Sequence, residues 1–409
     1  MLALIGALAA SASAPTPDPA PCRATLCQAA ALAPFLARLR ASRPDDGAPL
    51  HIVQIGDSHT AGDMITSGWR SRLQARYGAG GRGALAAGRP YQGYLTWGVT
   101  ASQSSGWSVN AMFGGRYRED GPWLGISGFT QTARSAGEML AIVTDTPDQN
   151  FDRILVCAIL QPGAGSVVLR MGEAAERWHL EAPRRAPACR TMDVDAPVAA
   201  ASITTEDSGI VSIASFGTFR REGGIALSNL GVVGAQLVHF GRTSDELVRA
   251  ELAAYRPDLI VLAFGTNEGF APGLTADGYE AALRAQIARI RRLAGARVPI
   301  LLLGAPDAGS RQPVAADDCG DGWYVPRLLG EVRERQRRVA REEGLAFWDW
   351  AAAMGGRCAA SRWRLAMRMR GDHVHFTRDG GDAIGAMIDA DLTRAAEDSA
   401  GAPAGERGF

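Results

Sequence analysis

The sequence predicts an α/β protein built on a parallel sheet and interrupted by an all-β segment. Two observations carry this. On both flanks of the chain, aliphatic runs such as DLIVLAFG (258–265) and VPILLLGAPD alternate with amphipathic stretches of helical length. Strands covered on both faces read as continuous apolar runs, and their alternation with helices indicates βαβ units. Between about 100 and 215 the chain shows short runs with period two: MLAIVTD, RILVCAI, SVVLRM, RWHLEA, ASITTE and IVSIAS, separated by Gly, Pro and Asp. That pattern reads as antiparallel β structure, a sandwich by preference.

The elements follow in order. A short helix is expected over 28–42 and a buried strand over 51–55. Met64 to Tyr77 reads as a helix, and the glycine run GAGGRG (78–83) follows it. A dinucleotide fingerprint needs strand, loop, then helix, so this run is a loop and no phosphate cradle. After the β segment, 224–232 reads as a strand, 235–255 as a helix, 258–265 as a strand and 276–293 as a helix. VPILLLGAPD is a strand, 324–343 a helix, LAFWDW a strand and 378–397 the final helix. The arginines in RIRR and RERQRR lie on these helices and read as solvated outer faces.

The totals narrow the function classes. At roughly 100–200 residues per domain, 409 residues make two to three domains or one elaborated domain. Net charge is +0, so nothing draws the whole chain to nucleic acid. All 43 basic residues are arginine. This is compositional bias, and arginine clusters carry little weight on sequence alone. The start, MLALIGALAASASAPTPDPAPC, has an apolar run, then Ala12-Ser13-Ala14, then prolines. No basic residue precedes the run, but the rest resembles a secretory signal cleaved near Ala14. No other apolar run approaches the ~18 residues of a membrane span. Six cysteines fit an oxidising compartment. Local pairs are favoured among the fifteen pairings possible: Cys22–Cys27, Cys157–Cys189 and Cys319–Cys358. Without CxxC, neither a zinc ribbon nor a thioredoxin-type site is indicated.

The chemistry centres on LHIVQIGDSHTAGDMIT (50–66). Ser58 sits just past the first strand, at the sheet edge where open α/β folds bind ligands. A serine needs a base within hydrogen-bond reach. His59 is badly placed for that, because adjacent side chains in extended chain point to opposite sides. It reads as a packing or hydrogen-bonding residue under the loop, and Asp57 as a loop brace. Of the other histidines, His51 lies in a strand, His179 in the β segment and His239 in a helix. His373 and His375 remain, in GDHVHFTRDGG before the last helix. Asp372, three residues before His375, can bond its Nδ1–H and leave Nε2 to take the serine proton. A metal site on His373 and His375 is the weaker alternative, since no further ligand cluster accompanies them. An ester-cleaving site also needs donors for the oxyanion. Asn267, past the strand DLIVLAFG, is one candidate, and the backbone N–H of Gly234 is another.

Four blocks occur in order: GDSH at 56–59, NLGVVG at 229–234, GTNE at 265–268 and DHVH at 372–375. Together they resemble the GDSL/SGNH hydrolase superfamily, and no G-x-S-x-G marks an ordinary α/β-hydrolase elbow. The resemblance implies a flavodoxin-like three-layer α/β/α fold. It implies nucleophile Ser58, base His375, orienting acid Asp372, and oxyanion donors in Gly234, Asn267 and the Ser58 N–H. No cofactor or metal is implied. The implied layout is a signal and linker over 1–21, an SGNH domain in two parts (28–100 and 221–397), a β-sandwich insert over 101–220, and a disordered tail over 398–409.

More narrowly, QIGDSHTAGD, a helix, a glycine-rich turn and a long β insertion before NLGVVGAQ are similar to bacterial peptidoglycan O-acetylesterases. Those carry a carbohydrate-binding-like insert and remove acetyl from the muramic acid C6 hydroxyl in the periplasm. The expected protein is an exported monomeric serine esterase, periplasmic or secreted, whose partner is an acetylated glycan polymer. An acetyltransferase of the same fold, a lipase or thioesterase, and a non-enzymatic glycan-binding protein remain open on sequence. Aromatic residues of the insert, Trp107, Tyr117, Trp123 and Trp178, could stack on sugars or fill its core. The alternation gives the insert an apolar core of its own.

Overall fold

The computed structural model describes residues 22, 24–313, 318–320 and 322–401. The expected signal and linker over 1–21 lie outside the described residues. The central sheet has the strand order Leu26–Cys27, Ala346–Trp348, Ile300–Leu303, Leu259–Ala263, Leu50–Gly56, Ile225–Gly231. All neighbours pair in parallel except the first, Leu26–Cys27, which joins antiparallel at the edge. Counted along the chain, the parallel strands stand 2-1-3-4-5, the flavodoxin-like order, with a switch point beside the first. Successive side chains of a strand face opposite ways. Leu50 and Ile52 therefore pack with Phe35, Trp69 and Ile384 on one face. Val53 and Ile55 pack with Val248, Leu283 and Val332 on the other. The result is three layers, α/β/α.

The middle of the chain forms two antiparallel sheets. One orders Ala174–His179, Ser166–Met171, Ala200–Thr205, Met139–Thr144 and Val99–Gln103. The other orders Ala186–Val198, Phe151–Leu160, Val211–Phe219, Phe129–Ala133 and Ser108–Ala111. Leu140, Ile154, Leu169, Ile203 and Ile213 fill the space between them. Strand Gly83–Ala86, upstream of 101, also joins the second sheet by pairing with 215–218. The β layer is not sealed off. Met112, Ile126 and Phe129 share a core cluster with Leu230, Leu237 and Val248. Trp107 and Trp178 are buried, at 6% and 5% exposure, so neither offers a face to a sugar. Tyr117 and Trp123 are half-buried, each with an arginine over its ring.

Several local expectations change. The helix read over 235–255 is two, Leu237–Phe240 and Asp245–Tyr255. Gly241 ends the first, and the Ser244 hydroxyl caps the second by accepting from Leu247 N. The helix expected from 324 starts at Leu329, because Tyr324 is held in bridges to Ser310 and Asp318. The last helix continues to Gly401, beyond 397, and the rest of the expected tail lies outside the described residues. The three disulfides join Cys22–Cys27, Cys157–Cys189 and Cys319–Cys358.

One buried carboxylate ties the two parts together. Glu251, in the helix Asp245–Tyr255, accepts from Ser215 Oγ at 2.6 Å and Ile126 N at 2.5 Å, both in the β layer. Burial pushes its carboxyl up to about 7, against the pull of those donors. The folded state therefore holds this proton when the unfolded chain, with an ordinary carboxylate near ~4.3, has lost it. The Glu251 contribution to stability should fall as pH rises from about 4.3 to about 7, then level off. Glu251→Gln keeps an acceptor for Ile126 N and removes that slope. Urea unfolding at pH 5 and pH 8 should show a smaller difference between the two conditions for the variant. An unchanged difference would mean that Glu251 is ionised throughout.

Candidate active site

Ser58 opens a single helical turn, Ser58–Ala61, at the carboxyl end of the first parallel strand. Asp57 caps that turn by accepting from His59 N at 2.9 Å. Gly56 is required before it: a Cβ there would stand 2.3 Å from Thr60 Oγ1 and 2.6 Å from Ala263 O. The turn thus presses against the neighbouring strand, with Ser58 half-buried at the switch point.

Ser58 Oγ lies 3.0 Å from His375 Nε2, and His375 Nδ1 lies 2.8 Å from Asp372 Oδ2. The other Asp372 oxygen accepts from Val374 N and His375 N, each at 2.9 Å. Burial alone would raise this carboxyl. Those N–H donors and the His375 ring outweigh it and hold Asp372 below the usual carboxylate range. The three sequence candidates therefore meet in one line. That geometry can remove a proton from a serine and return it to a leaving group.

His59 is buried beneath this line. Its Nε2 is 2.9 Å from the Val374 carbonyl, and its Nδ1 is 3.3 Å from Asp57 Oδ1. A carbonyl only accepts, so Nε2 carries a proton. Burial disfavours the imidazolium, but Asp57 and the Val374 carbonyl outweigh it and His59 is raised. The ring packs edge-on against Trp350 and Phe376. His59 thus ties the Ser58 turn to the loop that carries His375. His373, half of the weaker metal-site alternative, stacks on Trp323 with ring centroids 3.7 Å apart. Among the described residues no group of three His, Cys, Asp or Glu side chains is arranged to hold a metal ion.

Gly234 follows the second parallel strand with φ +77°, where a Cβ would meet the Phe113 ring at 2.7 Å. Asn267 follows the third. Its side-chain amide donates one N–H to Ala235 O at 2.9 Å, leaving the second N–H of that group unused by this bond. Sequence reasoning missed Glu268. It is buried and accepts from Gly265 N at 3.0 Å and Leu237 N at 2.7 Å. One carboxylate thereby holds the Asn267 turn against the loop after Gly234. Burial pushes Glu268 up to about 7. An acidic residue directly after a candidate oxyanion asparagine was the signal for it.

The cleft over Ser58 has a volume of about 290 Å³ and is lined by His375, Met64, Tyr91, Leu95, Val233 and Arg370 among others. A larger cavity of about 730 Å³ includes His51 and Asp258, at the opposite ends of these strands, away from Ser58.

The GDSL-like Lipase/Acylhydrolase family matches residues 217–383. A solved peptidoglycan O-acetylesterase matches with a TM-score of 0.73 and 26% identity, over 89% of this chain and 96% of that one. Weaker matches include a GDSL-like lipase from Bacteroides thetaiotaomicron (17% identity, 42% of this chain and 76% of that one, TM-score 0.29). A family two carbohydrate esterase from Cellvibrio japonicus matches at 12% identity over 73% of this chain and 98% of that one, TM-score 0.27. No curated protein matches. The family match to the C-terminal part and the nearly full-length structural match make the chain similar to GDSL-like acylhydrolases and together support an esterase.

Proposed function

We propose that the protein is an exported carbohydrate O-acetylesterase that removes acetyl groups from peptidoglycan. The observation that carries this reading is the hydrogen-bonded line Ser58–His375–Asp372 at the switch point. The likeness to a peptidoglycan O-acetylesterase over most of both chains supports the substrate class. Three disulfides support an oxidising compartment. Among the described residues no helix is long and apolar enough to cross a membrane.

In this mechanism Ser58 Oγ attacks the acetyl carbonyl while His375 Nε2 takes its proton. The oxyanion is met by the Ser58 and Gly234 backbone N–H groups and the remaining N–H of Asn267. His375 returns the proton to the departing sugar oxygen, leaving acetyl on Ser58. Water, losing a proton to His375, then releases acetate. The open setting of His375 and Asp372, whose side chains are 39% and 47% exposed, favours water as acceptor over a sheltered second sugar. Acetate release from O-acetylated peptidoglycan, acetylated xylan and p-nitrophenyl esters tests the reading. Turnover of the small ester without any glycan deacetylation would reject it.

Ser58→Ala should abolish turnover and leave thermal unfolding nearly unchanged. Retained activity would remove Ser58 from the chemistry. Asn267→Ala should lower kcat by about 10²–10³, the usual effect of losing one oxyanion donor, with little change in KM. A pure KM effect would make Asn267 a substrate-binding residue. Glu268→Gln places an amide N–H where an acceptor was needed. Through misplacement of the Gly234 and Asn267 turns it should lower kcat by about 10–100-fold at unchanged KM. In the Asn267→Ala background the same substitution should cost less. Full additivity would show that Glu268 acts elsewhere.

A further inference from the structure

Arginines elsewhere in this chain are commonly neutralised. On the long helices, Arg284, Arg291, Arg335, Arg337 and Arg338 all pair with carboxylates. The stretch leading to the triad base differs. From 362 to 378 there are five arginines and one carboxylate, Asp372, which is committed to His375. Arg362 is spent on the carbonyls of Arg357 and Gly355. Arg364, Arg368, Arg370 and Arg378 have no carboxylate within ion-pair distance among the described residues. Arg364 reaches only the Met367 sulfur, Arg368 lies over Trp363 and Arg378 over Trp97.

Backbone pairing aims this charge. Arg370 N donates to His375 O at 2.7 Å, and Thr377 N donates to Arg368 O at 3.0 Å, around the bridge between Met369 and Phe376. Met369 points inward, 1% exposed. By strand alternation its neighbours Arg368 and Arg370 point outward from the short ladder that carries His375. Both are exposed, and Arg370 lines the Ser58 cleft. Arg378 is offset by the nearby Asp382, but Arg364, Arg368 and Arg370, with no ion pair among the described residues, hold a local positive potential on the segment that carries His375, where Arg370 reaches the Ser58 cleft. A guanidinium is built to grip carboxylates through paired N–H donors.

We propose that this arginine face binds carboxylates of the polymer that carries the acetyl ester, so that the preferred substrate is an anionic glycan and not a neutral one. The inference rests on the glycan-esterase reading above and narrows it. In peptidoglycan such groups sit on the stem peptides and on any muramic acid whose lactyl group is free, close to an acetylated C6 oxygen. Charge complementarity favours this occupant over a neutral acetylated xylan. Leu365 and Met367, exposed at 81% and 69% on the same strip, make a lipid surface the competing outcome.

The test compares the full chain with Arg364→Gln/Arg368→Gln and Arg364→Lys/Arg368→Lys. For the glutamine variant, KM on O-acetylated peptidoglycan should rise about tenfold, the scale of lost charge-assisted contacts, while kcat holds. p-Nitrophenyl acetate turnover should fall far less, and the lysine variant should recover part of the loss. Raising salt from about 20 to about 500 mM should weaken the wild type on peptidoglycan in the same way. Equal losses on polymer and small ester, or a peptidoglycan KM indifferent to salt and to both substitutions, would overturn the proposal. So would binding to phosphatidylglycerol vesicles without binding to sacculi. Co-sedimentation with de-O-acetylated sacculi reads the arginine face without turnover. If sacculi bind in an arginine-dependent way while no glycan acetate is released, the esterase reading falls and the arginine face stands.

Discussion

The ion pair between Asp63 and Arg82 holds together the end of the molecule that carries the candidate site. Neither side chain has any exposed surface, and the oxygen–nitrogen distance is 2.9 Å. Desolvating two charges costs several kcal/mol per ion unless further hydrogen bonds compensate. Here they do. Asp63 also takes Arg70 at 3.1 Å and the Thr66 hydroxyl at 2.5 Å. Arg82 donates to Asn229 Oδ1, to Trp97 O and to Leu227 O. Burial and the nearby Arg70 lower Arg82 only to about 10, so it stays cationic at neutral pH. Asp63 directly precedes the helix Met64–Tyr77 behind the Ser58 turn, and Asn229 belongs to the strand that leads to Gly234. This pair therefore fixes the Ser58 turn against the loop that carries Gly234.

The antiparallel layer reaches the same place by another route. Phe113 comes from that layer, and its ring fills the space beside Gly234 that any larger residue would need. The ring also lies 4.5 Å from that of His239 in the following turn. Arg242, after that turn, donates to Met112 O and lies over Tyr117. With Glu251 bound to Ser215 and Ile126, these contacts join the β layer to the elements around the Ser58 cleft. A chain cut back to the α/β part would lose Phe113 and expose the shared cluster around Leu230 and Leu237.

The site was legible where it depends on local spacing. GDSH puts a serine after a strand, and three residues separate Asp372 from His375; the structure brings these three side chains within hydrogen-bond distance. Strand positions were legible because doubly covered strands are continuous aliphatic runs. What escaped depends on long-range partners. Arg82 sits in GAGGRG, a stretch that reads as a loop, and nothing local says that its guanidinium crosses to Asp63 and Asn229. Glu268 has an ordinary turn context, and its partner Leu237 is thirty-one residues away. Gly83–Ala86 is only four residues long and becomes a strand through pairing with 215–218. Period two showed which residues alternate but not which side of a sandwich is covered, so Trp107 and Trp178 could not be assigned to core or surface.

The electrostatics of the triad sharpen this division between local and distant causes. Asp372 and His375 are half open to water, where charge pairs are weak. Their alignment therefore owes little to mutual attraction. It comes from two N–H bonds that fix the Asp372 carboxylate and from a buried histidine that fixes the loop. His59 holds the Val374 carbonyl, and Val374 is the neighbour of His375. His375 is thus positioned from below by the buried ring of His59. Preorganisation of this kind costs nothing at the moment of reaction. On the proposed reading, a polymer seated over the cleft would shield this exposed pair from solvent, and each hydrogen bond of the line would strengthen as it did so. A small ester leaves the pair exposed. On the proposed reading, Ser58, His375 and Asp372 would then be more effective on a substrate that covers them.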